Sequence, residues 1–111
     1  MSSSFRASRD VIIRTNKFQE AAQFYESVLG LKPVYSSESL LRFDAGAFRL
    51  YVEDGGEHGA VFDFLVSDFH AAKTALINAG CTVQEENPSI PRCYIRDPYG
   101  LVSNIEQSVT G

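Results

Sequence analysis

Three polar side chains stand in strand-like stretches and could do chemistry there. Asp63 interrupts the apolar run Val61-Phe62-Asp63-Phe64-Leu65-Val66, while Asn104 and Glu106 follow Val102 at every second position. Because successive side chains of a strand point to opposite faces, Asn104, Glu106 and Val102 share one face. A carboxylate such as Asp63 must be solvated or paired, since burying it alone is costly. On an outer surface the face of Asn104 and Glu106 would simply be solvated, whereas a face that lines a cavity could hold a ligand.

Local patterns predict the elements that must position these side chains. Apolar residues at helical spacing predict one helix over residues 17–29 and a second from Ser67 or Asp68 to Gly80. Asp97-Pro98-Tyr99-Gly100 has the composition of a tight turn. Apolar and alternating runs predict strands at residues 11–15, 33–36, 40–44, 48–53, 61–66, 81–85, 92–96 and 101–106.

The order of the elements repeats along the chain. Residues 10–53 (module one) and 60–107 (module two) both read βαβββ, residues 54–59 form a glycine-rich linker, and residues 1–9 are predicted to be a flexible N-terminus. The helix of such a unit covers only one face of its sheet. We therefore predict an α+β domain of two tandem βαβββ modules, which form a curved mixed sheet around a trough with the helices on its outer face.

Composition excludes several partners. The net charge of −4 and the pI near 5.0 argue against binding to nucleic acid. No apolar run reaches membrane-spanning length and the N-terminal residues do not resemble a signal peptide, so the expected location is the cytoplasm, with no membrane partner. Cys81 and Cys93 follow no metal-ligand spacing and are expected to be reduced core residues.

Two motifs resemble the vicinal-oxygen-chelate superfamily, which contains glyoxalase I, extradiol dioxygenases and bleomycin-resistance proteins. One is Ala21-Ala22-Gln23-Phe24-Tyr25-Glu26-Ser27-Val28-Leu29-Gly30-Leu31, and the other is the Asp97-Pro98-Tyr99-Gly100 turn before the last strand. The resemblance covers residues 10–107. It implies the two-module fold and, by itself, no particular activity.

Metal-dependent members of that superfamily hold a divalent metal in the trough with ligands from the first and last strands of each module. The resemblance places these positions at Asp10, Leu50, Val61 and Asn104, and the repeat pairs Leu50 with Asn104. Two of the four are aliphatic and Asn offers only a neutral oxygen, so we expect no metal, no other cofactor and no catalytic residue. The open alternative is a weak oxygen site made by Asp10, Asp63 and Glu106.

The predicted ligand-binding residues follow from strand alternation across the trough. They are Asp10, Ile12, Phe48, Leu50, Asp63, Tyr94, Asn104 and Glu106. The same alternation places Arg49 and Tyr51 on the helix-covered face. An alternative role for Asp63 is an ion pair with Arg14 or Arg96 that closes the trough.

A mostly apolar pocket with a few carboxylates suits an aromatic or cationic organic molecule. Resemblance to the bleomycin-resistance branch implies a metal-independent binding protein that sequesters a drug-like ligand, works as a homodimer and serves antibiotic resistance. One alternative is a divergent metal-dependent lyase or dioxygenase of the same superfamily. Another is a scaffold that serves only as an interaction module.

Overall fold

The computed structural model describes residues 3–108. Its elements in chain order are β1 (Phe5–Thr15), α1 (Phe18–Gln23), a π-helical segment (Phe24–Val28), β2 (Lys32–Ser36), β3 (Leu40–Asp44), β4 (Arg49–Asp54), β5 (His58–Val66), α2 (Phe69–Asn78), β6 (Thr82–Glu86), β7 (Arg92–Arg96) and β8 (Val102–Gln107). Within these residues, no helix combines the length and the hydropathy needed to cross a bilayer.

The chain divides into two compact units. The first unit is Arg9–Ala60, and the second unit comprises residues 3–8 together with residues 61–108. Strands β1 and β5 therefore each contribute residues to both units. The second unit is discontinuous in sequence, because its first six described residues precede the whole first unit.

In the first unit the strand order is β2-β3-β4-β1, with β1 parallel to β4 and the other pairs antiparallel. Helix α1 and the π-helical segment pack on one face of this sheet. The core on that face contains Leu41, Phe43, Leu50 and Val52, with Ile13, Phe18, Ala21, Ala22, Tyr25 and Leu31 packed against them. Burial of these apolar side chains is the main force that holds the helix on the sheet.

The second unit repeats this arrangement with the order β5-β8-β7-β6, in which β5 is parallel to β8. Helix α2 packs on one face over a core of Val66, Phe69, Ala72, Cys81, Cys93, Ile95 and Ile105. Asp68 caps the helix by accepting a hydrogen bond from the Ala71 N–H at 3.1 Å. The helix ends before Gly80, whose φ of 102° suits a residue without a side chain.

The predicted α+β class and the two βαβββ units with a helix on one sheet face are confirmed. The first helix differs from the prediction of residues 17–29, because only Phe18–Gln23 is α-helical. Beyond Gln23 the hydrogen bonds lengthen by one residue, and the Leu29 N–H donates to the Phe24 carbonyl at 3.2 Å.

The predicted flexible N-terminus is wrong for residues 5–9, which belong to β1. Preceding residues are also held, since the Ser4 N–H donates to Ser67 Oγ at 3.0 Å and the Ser67 N–H donates to the Ser4 carbonyl at 3.2 Å. The predicted linker 54–59 is shorter in the structure, because β4 includes Asp54 and β5 begins at His58. Backbone pairing satisfies polar groups that a loose segment would leave to water.

The predicted turn before the last strand is present. One carboxylate oxygen of Asp97, Oδ1, accepts hydrogen bonds from the N–H groups of Tyr99 and Leu101, both at 2.9 Å. Gly100 adopts a φ of 106°, which a residue with a side chain rarely adopts. The turn thus fixes where β8 begins and which of its side chains face α2.

Candidate ligand-binding site

A row of polar side chains crosses the second unit on the face of the sheet that α2 does not cover. Asp63 on β5 lies opposite Asn104 on β8, Asn104 lies opposite Tyr94 on β7, and Tyr94 lies opposite Glu85 on β6. Their neighbours along each strand, such as Ile105, point into the core under α2. We call Asp63, Asn104, Tyr94 and Glu85 the polar row.

Asp63 is held by neutral hydrogen-bond donors. Its Oδ1 accepts from Asn104 Nδ2 at 2.8 Å, and its Oδ2 accepts from the hydroxyl of Ser8 at 2.6 Å. Asp63 is only 4% exposed and Asn104 only 2%. The proposed ion pair with Arg14 or Arg96 is wrong, because within residues 3–108 Asp63 has these neutral partners and Arg14 pairs with Glu53 at 3.5 Å.

The oxygen atom of the Asn104 amide lies in an unusual environment. Its Oδ1 is buried and accepts no hydrogen bond from any group in the described part of the chain. A buried acceptor without a donor is unfavourable by about 1–3 kcal/mol, and most buried polar atoms in proteins avoid it. This oxygen is therefore ready to accept a hydrogen bond from a bound molecule.

A cavity of about 210 Å³ lies at the Glu85 end of the polar row. Glu85, Arg92 and Tyr94 line it, together with Ile90 from the loop that joins β6 to β7. Glu86 also lines it, but its carboxylate is neutralised by Lys73, whose Nζ lies 2.7 Å away. The cavity thus offers an aromatic ring and charges of both signs.

The structure brings together four of the eight predicted site residues. Asp63, Tyr94 and Asn104 belong to the polar row, and Glu106 lies on the same face, two positions along β8 and opposite Arg92. Strand alternation placed all four on this face. Their role in ligand binding stays a prediction.

The first unit differs from the prediction at β4. Leu50 is buried at 6% exposure in the core under α1, so its predicted position on the uncovered face is wrong. Phe48 precedes β4, which begins at Arg49, so strand alternation does not apply to it. Arg49 instead pairs with Asp10, with 2.7 Å between Nε and Oδ1. A shift of one residue exchanges the faces of every side chain in a strand.

The uncovered face of the first unit carries an aromatic and cationic row that the sequence analysis missed. Tyr51 lies opposite both Ile12 and Arg42, and Arg42 lies opposite Tyr35. The Arg42 guanidinium lies 5.9 Å from the ring centre of Tyr35 and 5.8 Å from that of Tyr51, which is cation–π distance. The sequence does carry a signal for this row, because Arg42 stands between the apolar residues Leu41 and Phe43 in a predicted strand.

The positions of these residues change the predicted alignment of the two units by one residue in β4. In the order of the strands, Tyr51 occupies the position that Asn104 occupies in the second unit, and Arg42 occupies the position of Tyr94. The predicted pairing of Leu50 with Asn104 is therefore wrong by one residue. The corrected repeat places Ile12 at the position of Asp63.

The residues at the predicted metal-ligand positions do not fit a transition-metal site. Within residues 3–108, no group of three or more His, Cys, Asp or Glu side chains could hold a metal ion. Val61 is apolar, Asn104 offers only a neutral amide oxygen, and the corrected position in the first unit is Tyr51. Zinc, iron and manganese sites use several His, Cys or carboxylate ligands, whereas this set offers one, the Asp10 carboxylate, which already pairs with Arg49 at 2.7 Å.

The two cysteines belong to the core of the second unit. Burial raises the pKa of the Cys81 thiol above its ordinary value, and the Asp97 carboxylate raises it further. Burial also raises the pKa of Cys93, with a further rise from Glu86 that is opposed by Lys73. Since the thiolate is the reactive form, neither cysteine is suited to be a nucleophile.

We expect both thiols of the folded protein to react with iodoacetamide at pH 8 more than about tenfold slower than in the urea-unfolded chain. At a pH above the ordinary thiol pKa, the unfolded chain loses thiol protons that the folded chain keeps. The stability that the two protonated thiols contribute is therefore fully present below the ordinary thiol pKa, and it is lost as the pH rises through the raised pKa values of the folded chain. Urea unfolding at pH 7 and pH 10 measures the loss, which should shrink in Cys81→Ala. Equal labelling rates in the folded and unfolded chains would contradict the assignment.

Comparison with known proteins agrees with this architecture. A family model for a glyoxalase-like domain matches residues 10–105. Homoprotocatechuate 2,3-dioxygenase from Brevibacterium fuscum superposes with a TM-score of 0.68 at 17% identity, over 96% of this chain and 38% of the dioxygenase. A Mn(II)-bound glyoxalase from Novosphingobium aromaticivorans superposes with a TM-score of 0.64 at 21% identity, over 96% of this chain and 40% of the glyoxalase.

An NAD-dependent benzaldehyde dehydrogenase structure from Legionella pneumophila is similar in length. It superposes with a TM-score of 0.66 at 15% identity, over 88% of this chain and 96% of that one. By contrast, this chain spans about two fifths of the dioxygenase and of the glyoxalase. No curated protein matches the sequence. At these identities the superpositions show a shared fold and leave activity open.

Two βαβββ units, each with a helix on one face of a mixed sheet, define the fold of the vicinal-oxygen-chelate superfamily. Within that superfamily, this chain belongs to the glyoxalase-like domain family, whose model matches nearly its whole length.

Proposed function

We propose that this protein is a metal-independent small-molecule-binding protein whose ligand is an aromatic organic cation, bound along the polar row of the second unit. The observation that carries the proposal is the buried Asn104 Oδ1, an acceptor without a donor beside the Asp63 carboxylate. A ligand N–H group placed at this oxygen would supply the missing hydrogen bond.

The charge of Asp63 supports a cationic ligand group. Within residues 3–108, the partners of this carboxylate are a hydroxyl and an amide, so no side-chain cation neutralises it. A carboxylate has about four lone-pair sites, of which these hydrogen bonds use two. A negative charge in a site shielded from water attracts a cation much more strongly than one in bulk solvent does.

The cavity beside Tyr94 supports an aromatic ligand body. Its volume of about 210 Å³ leaves room for one aromatic ring, and exposed wall residues such as Ile90 leave it open to solvent. An aromatic ring there would lie against Tyr94, since aromatic pairs gain about 0.5–1.5 kcal/mol beyond their area burial. Glu85 and Arg92 at the wall then select polar substituents on that ring.

Calorimetric titration with a matched pair of probes tests the proposal. Benzylammonium carries a ring and a cationic N–H donor, whereas benzyl alcohol has the same ring without the charge. We expect benzylammonium to bind more tightly, and Asp63→Asn to weaken it about tenfold with little effect on benzyl alcohol. Glu38→Gln is the matched control, because Glu38 is an exposed carboxylate in the first unit and should leave both affinities unchanged.

Two results would contradict the proposal. The first is an Asp63→Asn variant that binds benzylammonium as tightly as the parent does. The second is a rise in melting temperature with Mn²⁺, Fe²⁺, Ni²⁺ or Zn²⁺ that a chelator reverses, because saturation at 100 times Kd adds about 2.7 kcal/mol of stability. That rise would favour the metal-dependent lyase or dioxygenase.

The predicted homodimer stays a prediction, which light scattering of the same samples checks.

A further inference from the structure

A second cavity lies in the second unit on the side of the sheet that faces α2. It has a volume of about 240 Å³, and its walls include Phe5, Phe64, Leu76, Ile95 and Ile105. Ile95 and Ile105 belong to the core under α2, with Phe64 and Leu76 packed against it. The polar row points to the opposite face, so this cavity is distinct from the site proposed above.

The size and lining of this cavity suit a single aromatic ring. Its volume of about 240 Å³ leaves room for one ring, and the partly exposed Phe5 and Leu101 leave it open to solvent on one side. Its aliphatic and aromatic walls would gain dispersion contacts that the space now lacks.

Two polar groups give the cavity a hydrogen-bonding end. Ser103 lines it at 6% exposure, and its hydroxyl makes no side-chain hydrogen bond to any residue in the described part of the chain. Asp97 also lines it; its Oδ1 accepts from two backbone N–H groups, and no protein donor among residues 3–108 contacts its Oδ2. The Ser103 hydroxyl can donate and accept, and the Asp97 carboxylate at the same cavity wall can accept, which matches a ligand that carries an O–H group.

From these features we propose that the cavity on the α2 side is a second ligand site, which reversibly binds a single-ring phenol. The ring lies among Phe5, Phe64 and Leu76, and the phenolic O–H hydrogen-bonds to Ser103 and Asp97. Binding is non-covalent, because a phenol offers no electrophilic atom to the Cys81 thiol that also lines the cavity.

Methyl-detected NMR of the full chain, labelled at Ile and Leu methyl groups, tests this site with phenol and toluene as probes. We expect phenol to shift the methyl signals of Leu76, Ile95 and Ile105, while the methyl signal of Ile90, which lines the other cavity, stays in place. Toluene should shift the same three signals at higher concentration, because it lacks the hydroxyl.

Two variants at one position separate the ring from the hydroxyl. Ser103→Ala removes the hydrogen bond and should weaken phenol about threefold to tenfold without changing toluene. Ser103→Leu fills the space and should abolish the shifts with both probes. If Ser103→Leu does not fold, the comparison of phenol with toluene in Ser103→Ala still tests the proposal, because alanine adds no volume to the core.

Three outcomes would overturn the proposal. One is the absence of any shift at Leu76, Ile95 and Ile105 up to the solubility of phenol. Another is an equal loss of phenol and toluene affinity in Ser103→Ala, which would assign the hydroxyl a structural role. The third is a set of shifts at these methyl groups that follows protein concentration alone, which would mean that a second copy of the chain covers the cavity.

Discussion

Replacing Asn104 by Ala lowers the free energy of unfolding by about 2–4 kcal/mol. The change removes the amide that donates to Asp63 at 2.8 Å and leaves a nearly buried carboxylate with only the Ser8 hydroxyl. Hydrogen bonds to charged groups contribute about 1.5–3 kcal/mol, and removing one partner of a buried charge is worse than removing both. Urea unfolding at pH 7 measures the effect.

A double-mutant cycle isolates the interaction from general damage to the sheet. Asn104→Ala, Asp63→Ala and the double variant should give a coupling free energy of about 1.5–3 kcal/mol, because the two side chains touch. Ser8→Ala is a useful comparison, since it removes the other donor at 2.6 Å from a less buried residue. A coupling near zero would show that the Asp63–Asn104 contact does not stabilise the folded chain.

Replacing Leu50 by Ala lowers the free energy of unfolding by about 2–5 kcal/mol, whereas Tyr51→Ala lowers it by about 1 kcal/mol or less. Leu50 is buried under α1 beside Phe43, so its truncation leaves a cavity. Tyr51 lies on the other face, is partly exposed and loses mainly its contact with Arg42.

This pair tests the strand register directly by thermal or urea unfolding of both variants. If β4 were shifted by one residue, Tyr51 would be the core residue and the order of the two effects would reverse. A Leu50→Ala variant as stable as the parent would restore this side chain to the uncovered face, where the sequence had placed it. The large difference expected makes the measurement insensitive to small errors in extrapolation.

Helices and turns could be predicted because their signals are local. Asp68 and Gly80 mark the two ends of α2, and the Asp97 turn needs only four residues to specify its geometry. The repeated βαβββ order then followed from the spacing of these signals. Such features depend on neighbours in sequence, which a single sequence displays in full.

The register of β4 could not be predicted in the same way. Phe48, Leu50 and Val52 alternate with Arg49, Tyr51 and Glu53, and alternation states only that the two sets face opposite ways. The prediction assigned the apolar set to the ligand trough, and this placed both sets of β4 side chains on the wrong face of the sheet. Packing of Leu50 and Val52 against α1 decides the register, and that contact joins residues distant in sequence.

The candidate site was predicted in part for a related reason. Asp63 and Asn104 were found because polar residues inside apolar strands are conspicuous. Ser8 was missed, since nothing in the polar N-terminal sequence indicates that it continues as β1 and reaches a carboxylate 55 residues away. Partners of buried charges are set by tertiary contacts, and those contacts leave little trace in local composition.

The discontinuity of the second unit has a consequence for synthesis on the ribosome. Its first residues emerge before the entire first unit, while the Asp63 that Ser8 contacts emerges 55 residues later. Closing so long a loop is entropically unfavourable, and contacts of high sequence separation form slowly. The first unit therefore has its complete sequence available while the second still waits for β5 to β8. Until Asp63 and Ser67 have been synthesised, Ser8 and Ser4 lack the partners that they contact in the folded unit.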